Sequence, residues 1–266
     1  MAEITRKELV LALIGVPGEN EVRLRGLDLS GLNLSGLSLR YADVSFSNLQ
    51  NTDLSNTDLF KANLNGAILC NDNSSEDADQ IDIPELRNCA NLCNANLSGA
   101  NLNNSNLIGV PISGANLCGA NLNDAFLDGA NLSGTDLSHA AMRDAHLSNA
   151  NLSRADLSGA TMNNADMNNA NLRGANLSNA NLSGACLDGA DLSALSLDGA
   201  DLSISDIISF FCGFRSTDLS NANLSNADLQ NANLTGANLC NADLSDADLR
   251  NAKLNSANLD GVKGLK

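Results

Sequence analysis

The chain has 266 residues, a formal net charge of −16, and an apolar fraction of 43% that contains no Trp and one Tyr. Fifteen Lys and Arg against 31 Asp and Glu exclude a surface that grips nucleic acid through its phosphates. No run of 18 apolar residues is present to cross a membrane as a helix, and with aromatics at 3% the core must be built from Leu and Ala.

Residues 1–21 read as a short helical cap. Thr5 with Glu8 makes a capping box, Leu9, Leu13 and Ile14 recur at helical spacing, and the helix ends near Gly15. Arg6-Lys7 ahead of an apolar stretch imitates a secretion signal. Glu8 interrupts the basic step, however, the stretch is short, and no A-x-A site follows, so a cytoplasmic chain is expected. The cysteines (Cys70, Cys89, Cys93, Cys118, Cys186, Cys212, Cys240) are odd in number and irregularly spaced. They suggest no disulfide framework and a reducing compartment. Cys89 and Cys93 lack the second pair or the histidines that a metal site needs and are read as small fillers.

From residue 22 the chain repeats every five residues as A-[N/D]-L-S-[G/N]. With the Leu position called i, centres run from Leu24 to Leu69, from Leu92 to Ile207 and from Phe214 through Leu219 to Leu259, 44 in all, and every one is apolar. Position i−2 is mostly Ala. A period of five matches neither helix nor strand. It fits a chain that turns a corner after each pentad, with one large and one small residue pointing inward. The remaining Asn, Asp, Ser and Gly tolerate tight turns and bond their own backbone. Asn at i−1 and i+2 is expected to stack its amides along the rod.

Two breaks interrupt the repeat. The segment at about 70–88 carries Asp72, Glu76, Asp77, Asp79, Asp82 and Glu85 against one Arg87 and reads as a solvated acidic loop, a candidate partner contact. At about 208–213 the register slips by two residues, and Phe210, Phe211 and Phe214 are expected to form an apolar bulge that refills the core.

These pentads resemble those of the pentapeptide-repeat proteins over residues 22–263, within a repeat domain of residues 22–266. The resemblance implies an all-β, right-handed quadrilateral β-helix with four pentads per coil. It further implies about eleven coils and a rod of roughly 50 Å at one strand spacing per coil. Residues 20 apart then stack. His146, Asp166 and Cys186 fall in one column that looks on paper like a nucleophile set, but it lies on a convex, water-exposed wall with no cleft and reads as a surface ion pair. No phosphate-loop, zinc-protease, serine-elbow or EF-hand pattern occurs, so a non-enzyme without metal or cofactor is expected.

Two branches of the family bear on function. One resembles the gyrase-protecting proteins that look like duplex DNA to topoisomerases, but the acids here are spread over all four walls. The other is suggested by T-R-K-E, E-V-R-L-R-G-L-D and L-S-L-R-Y-A-D around Arg40-Tyr41. These strings resemble the repeat region of BTB/potassium-channel-tetramerisation-type proteins, which implies a recognition arm of a ubiquitin-ligase adaptor. The preferred reading is a rigid, acidic, non-catalytic interaction scaffold for a protein partner. No direct nucleic-acid or membrane binding is expected, and an end-to-end homodimer through the C-terminal edge is kept beside it.

Overall fold

The computed structural model describes residues 5, 7–9, 22–70, 89–187, 190–192, 196–197, 218–230 and 232–265. At the N-terminus the capping box is formed: the Thr5 N–H donates to Glu8 Oε2 at 2.7 Å and the Glu8 N–H to Thr5 Oγ1 at 3.2 Å. These bonds from Thr5 hold the Glu8 carboxyl below its ordinary pKa. They start a helical turn over residues 7–9, whose Leu9 is fully buried in the same apolar core as the repeats.

The repeat closes on itself every 20 residues. Parallel bridges join Arg23 to Asp43, Asp28 to Asn48, Asn33 to Asp53 and Ser38 to Asp58, and the same pairings recur along the chain. A coil therefore has four walls. The first is centred on Leu24, Val44 and Leu64, the second on Leu29, Leu49 and Leu69, the third on Leu34, Leu54 and Leu92, and the fourth on Leu39, Leu59 and Leu97. Each wall contributes a single bridge per coil because the chain turns after three extended residues.

The destination of each backbone N–H explains the consensus. In pentad 150–154, Ala150 donates to Leu147 O at 3.0 Å and closes the preceding turn. Asn151 donates to Ala130 O one coil back at 2.9 Å, while Leu152 and Arg154 donate to Asn171 O and Arg173 O one coil ahead at 2.7 and 3.0 Å. Only the i+1 amide is left over, and Ser153 N–H donates to Asn151 Oδ1 at 3.1 Å. Position i−1 is Asn or Asp because its side chain is the acceptor for an amide that no carbonyl reaches. The same amides also ladder along the first wall, with Asn63 donating to Asp43, Asn101 to Asn63 and Asn121 to Asn101 at 3.1 to 3.2 Å.

Position i+2 is left-handed throughout the described repeats, so Gly and Asn serve there at least cost. Leu at i and Ala at i−2 line the tube, and Val22, Leu27, Leu32 and Leu37 replace Ala in the first coil, where they are only partly buried. Where Thr52 and Thr57 stand in place of Ala, their hydroxyls donate to Leu29 O and Leu34 O at 3.0 Å. Among the described residues no buried side-chain polar atom lacks a partner.

The first break is an insertion that leaves the phase intact. Asp53 bridges to Asn91 and Asp58 to Asn96, offsets of 38 residues where 20 is the rule. Ala90 N–H donates to Leu69 O at 2.7 Å, the usual bond of a corner. Cys70 and Cys89 thus stand where two successive turn residues would, their Cα atoms 4.0 Å apart and joined by a disulfide. A peptide bond would set about 3.8 Å. This corrects the expectation of unpaired cysteines. The two lie 19 apart in sequence, so spacing hid a pair that the coil places side by side. Cys186 is also disulfide-bonded, whereas Cys93, Cys118 and Cys240 are free thiols.

The second break is larger than the expected slip. Asp191 bridges to Asp218 and Ser196 to Asn223, an offset of 27, so Leu219 stacks on Leu192. A two-residue slip with Phe214 as a centre would have put it on Leu197. A coil has only four walls, and a fifth pentad has no place in the ladder. The residues of the expected apolar bulge, Phe210, Phe211 and Phe214, lie outside the described residues.

Candidate interaction site

The first coils carry a cluster of rings and cations on both corners that flank the first wall. At the corner from the fourth wall, the Arg40 guanidinium sits over the Phe60 ring at 4.4 Å and over Tyr41 at 5.8 Å. Lys61 Nζ lies over the same Phe60 ring at 5.3 Å, and Tyr41 meets Phe60 edge to face at 5.7 Å. Arg40 Nη1 also bonds Asp58 Oδ2 at 3.0 Å, which raises the guanidinium pKa further. At the opposite corner Arg25 lies over Phe46 at 5.0 Å, and Phe46 is 53% exposed.

The backbone makes this cluster unusual. Tyr41 and Phe46 occupy i+2 at φ 59° and 57°, and Lys61 at 53°, where the fold mostly uses Gly or Asn. A bulky side chain in the left-handed region is strained. Phe46 is accommodated because the residue beneath it is Gly66: a Cβ there would stand 2.8 Å from the ring. Sequence reasoning missed this site because it lies at i+1 (Arg25, Arg40, Phe60) and i+2 (Tyr41, Phe46, Lys61), outside the inward positions that define the repeat. The signal was present in the 20- and 21-residue spacings of Arg40–Phe60, Tyr41–Lys61 and Arg25–Phe46.

The column containing His146 holds no catalytic set. Phe126, His146, Asp166 and Cys186 are bridged in that order, and the exposed Phe126 and His146 rings stack at 4.9 Å. Cys186 is disulfide-bonded and has no thiol to ionise. Because His146 displaces the usual Asx acceptor, Ser148 N–H donates to Asp128 Oδ1 of the preceding coil at 3.1 Å. Burial there pushes the Asp128 carboxyl above its ordinary pKa, against the opposing pull of His146. Among the described residues no cluster of His, Cys, Asp and Glu has the makings of a metal site.

The profile of the pentapeptide repeats matches residues 20–56, 38–71, 88–124, 112–149, 150–189, 212–246 and 227–263. The chain belongs to the pentapeptide-repeat family. Among solved structures it is similar to HetL, a pentapeptide-repeat protein involved in heterocyst differentiation regulation in the cyanobacterium Nostoc sp. strain PCC 7120. The two are 29% identical over 98% of this chain and 97% of that one, with a TM-score of 0.57. QnrB1, a plasmid-mediated fluoroquinolone resistance protein, aligns at 19% identity over 87% of this chain and 90% of that one, with a TM-score of 0.36. A pentapeptide-repeat protein of the Arabidopsis thaliana thylakoid lumen aligns at 27% over 50% of this chain and 66% of that one, with a TM-score of 0.18. No curated protein matches the chain. The four-walled ladder is the quadrilateral β-helix architecture shared with HetL.

In this pentapeptide-repeat protein the acids are dispersed, as the sequence indicated. Asp43 and Asp228 lie on the first wall, Asp28 and Asp166 on the second, Asp53, Asp191 and Asp218 on the third, and Asp136, Asp156 and Asp243 on the fourth. The loop acids Asp72, Glu76, Asp77, Asp79, Asp82 and Glu85 lie outside the described residues, although the corner that launches them is defined by Cys70 and Cys89. Among the described residues no helix is long and apolar enough to cross a membrane.

Proposed function

We propose that the protein is a non-catalytic interaction scaffold that engages a protein partner through the cation–aromatic patch of its first coils. The observation that carries this reading is the placement of Tyr41 and Phe46 at left-handed positions, where Gly or Asn would serve the fold better. A strained bulky residue costs about 1–3 kcal/mol. Folding gains nothing from that strain, and Tyr, Phe and Arg are the residues that anchor interfaces. The acidic loop from Asp72 to Glu85 is a second contact in this reading, because Cys70 leaves the rod only four residues after Gly66, the seat of Phe46. The Cys70–Cys89 bond favours an oxidising compartment over the cytoplasm. The dispersal of acids gives no support to mimicry of DNA.

A photo-reactive phenylalanine analogue at position 46, compared with one at Asn238 on the third wall, tests the patch. The expected result is partner capture from position 46 alone, abolished by Arg25→Ala with Arg40→Ala. An identical captured set from both positions, or one unchanged by the two Arg substitutions, sinks the reading. A subsidiary reading is stacking of a second copy on the last described coil, where Leu259 is 36% exposed. Light scattering that shows only monomer dismisses it.

A further inference from the structure

At the corner between the third and fourth walls, Gly134, Arg154 and Gly174 stack in successive coils, each with positive φ. The glycines on either side of Arg154 supply no side chain, and an open hollow of about 620 Å³ results. Arg173 borders it from the third wall, adjacent to Arg154, whose N–H bonds Arg173 O at 3.0 Å. The lining contains two guanidinium groups and no carboxylate.

That combination stands out in a chain with 31 acids and 15 bases. Among the described residues Arg40 pairs with Asp58 and Arg250 with Asp248, but Arg154 and Arg173 pair with no acid. Asp156, two residues further along, is engaged on its own wall by Ser158 N–H at 3.0 Å and Asn176 Nδ2 at 3.1 Å. Asp191 lies one coil beyond Asn171, outside the hollow. The polar lining also holds unspent donors. In some pentads the i+1 hydroxyl also bonds its own Asx side chain, as Ser98 does with Asn96 and Ser138 with Asp136. Ser133 and Ser153 use only their backbone N–H groups in this way, which leaves both hydroxyls uncommitted. Asn171 accepts from Arg173 N–H through Oδ1 and keeps Nδ2. The smaller hollow at Arg143 differs on this point: Asp124 lines it too, so it is neutral within itself.

We propose that this hollow is a binding site for a phosphate-class dianion, held between the Arg154 and Arg173 forks with the Ser133 and Ser153 hydroxyls as further donors. Paired guanidinium forks match a tetrahedral oxyanion bidentately. The donors outnumber what one carboxylate accepts, and the volume exceeds one phosphate, so the group arrives as a monoester. A phosphorylated side chain and a nucleotide share that chemistry, as does free phosphate in weaker form.

The test is a titration of the full chain with inorganic phosphate, phosphoserine and adenosine monophosphate, followed by calorimetry and by amide shifts. Sodium chloride at matched ionic strength is the blank. The expected result is saturable binding with shifts at Ser133, Ser153 and Gly174, weakened at least about tenfold in Arg154→Gln with Arg173→Gln and unaffected in Arg143→Gln. Arg173→Gln alone, at an ordinary backbone position, serves if the double variant loses its melting transition, and it should weaken binding in the same direction. Whichever of the three ligands binds tightest identifies the source. A response that chloride reproduces, or binding unchanged by the Arg substitutions, overturns the site.

Discussion

At Ala141 and His146, where position i−1 is not Asn or Asp, the orphaned i+1 amide finds an acceptor in the preceding coil, and this substitution can be measured. Ala141 supplies no acceptor, and Arg143 N–H instead donates to Asn123 Oδ1 at 2.8 Å. Asn123→Ala removes that bond while leaving Asn123's own backbone contacts, among them Asn103 Nδ2 to Asn123 O at 2.8 Å. The loss should cost about 1 kcal/mol, the net worth of one such hydrogen bond. For 266 residues that is roughly 2 °C in Tm. Ala141→Asn restores the consensus acceptor, and the open hollow lined by Asn123, Ala141 and Arg143 has room for it. In that background Asn123→Ala should cost close to nothing, giving a coupling of about 1 kcal/mol in a double-mutant cycle. Hydrogen exchange at the Arg143 amide supplies the local reading, faster in Asn123→Ala and protected again in the double variant. Equal costs in both backgrounds, or an Arg143 amide indifferent to Asn123, would refute the claim that each pentad needs an acceptor for its fifth amide.

Reduction of Cys70–Cys89, or Cys70→Ser with Cys89→Ser, frees a loop closed across 19 residues and should destabilise by about 3 kcal/mol, roughly 5 °C in Tm; peptide mapping that finds both thiols free in the native protein removes the basis. Gly26→Ala meets nothing within 4 Å and should cost only the left-handed backbone term of about 1 kcal/mol. Gly66→Ala must also displace the Phe46 ring, so its excess cost should vanish in a Phe46→Ala background, and an excess that persists there contradicts the packing. Asp128 has a raised carboxyl pKa, so the folded state holds its proton more tightly than the unfolded state does, and stability from this group falls as pH rises through the carboxylate range. Asp128→Asn keeps an acceptor for Ser148 N–H and should therefore raise Tm near neutral pH but not well below that range; an equal change at both would rule out the charge as cause. Asp243 runs the opposite way, its pKa lowered by the Ser245 hydroxyl and N–H, so its contribution is present above the carboxylate range and lost on acidification, and Asp243→Asn should matter least in acid.

The tube, its inward Leu and Ala and the capping box at Thr5 and Glu8 were legible because each depends on neighbours within a few residues. The amide ladders were legible for the same reason, since a strict period turns one local rule into a global register. What failed depends on contacts between coils. Cys70 and Cys89 pair only because the coil brings the two ends of an insertion to one corner, and their sequence separation gives no hint of it. The surplus at the second break was undercounted because local spacing admits Phe214 as a centre, whereas the ladder, which joins Asp191 to Asp218, admits only four walls. The ring and cation cluster went unseen although Arg40 and Phe60, and Tyr41 and Lys61, are each 20 residues apart, because the consensus does not mark i+1 and i+2 as neighbours across a corner.

A repeat that satisfies most of its backbone donors by rule leaves little freedom to vary, and this locates function. Inward positions are fixed by the tube, i−1 by its acceptor duty, and i+2 by its left-handed backbone. Departures at i+2 are then the informative ones, since they carry strain that the ladder does not require. Tyr41 and Phe46 depart toward rings, which is the basis of the proposed contact surface; Arg154 departs toward charge, between two glycines at the corner of the third and fourth walls, which is the basis of the proposed anion site. His139 departs as well, and a Cβ at Gly159 would stand 2.6 Å from its ring, so the same rule of a large side chain seated over a glycine recurs there. The rod is thus a uniform frame on which the exceptions, read column by column, carry the chemistry.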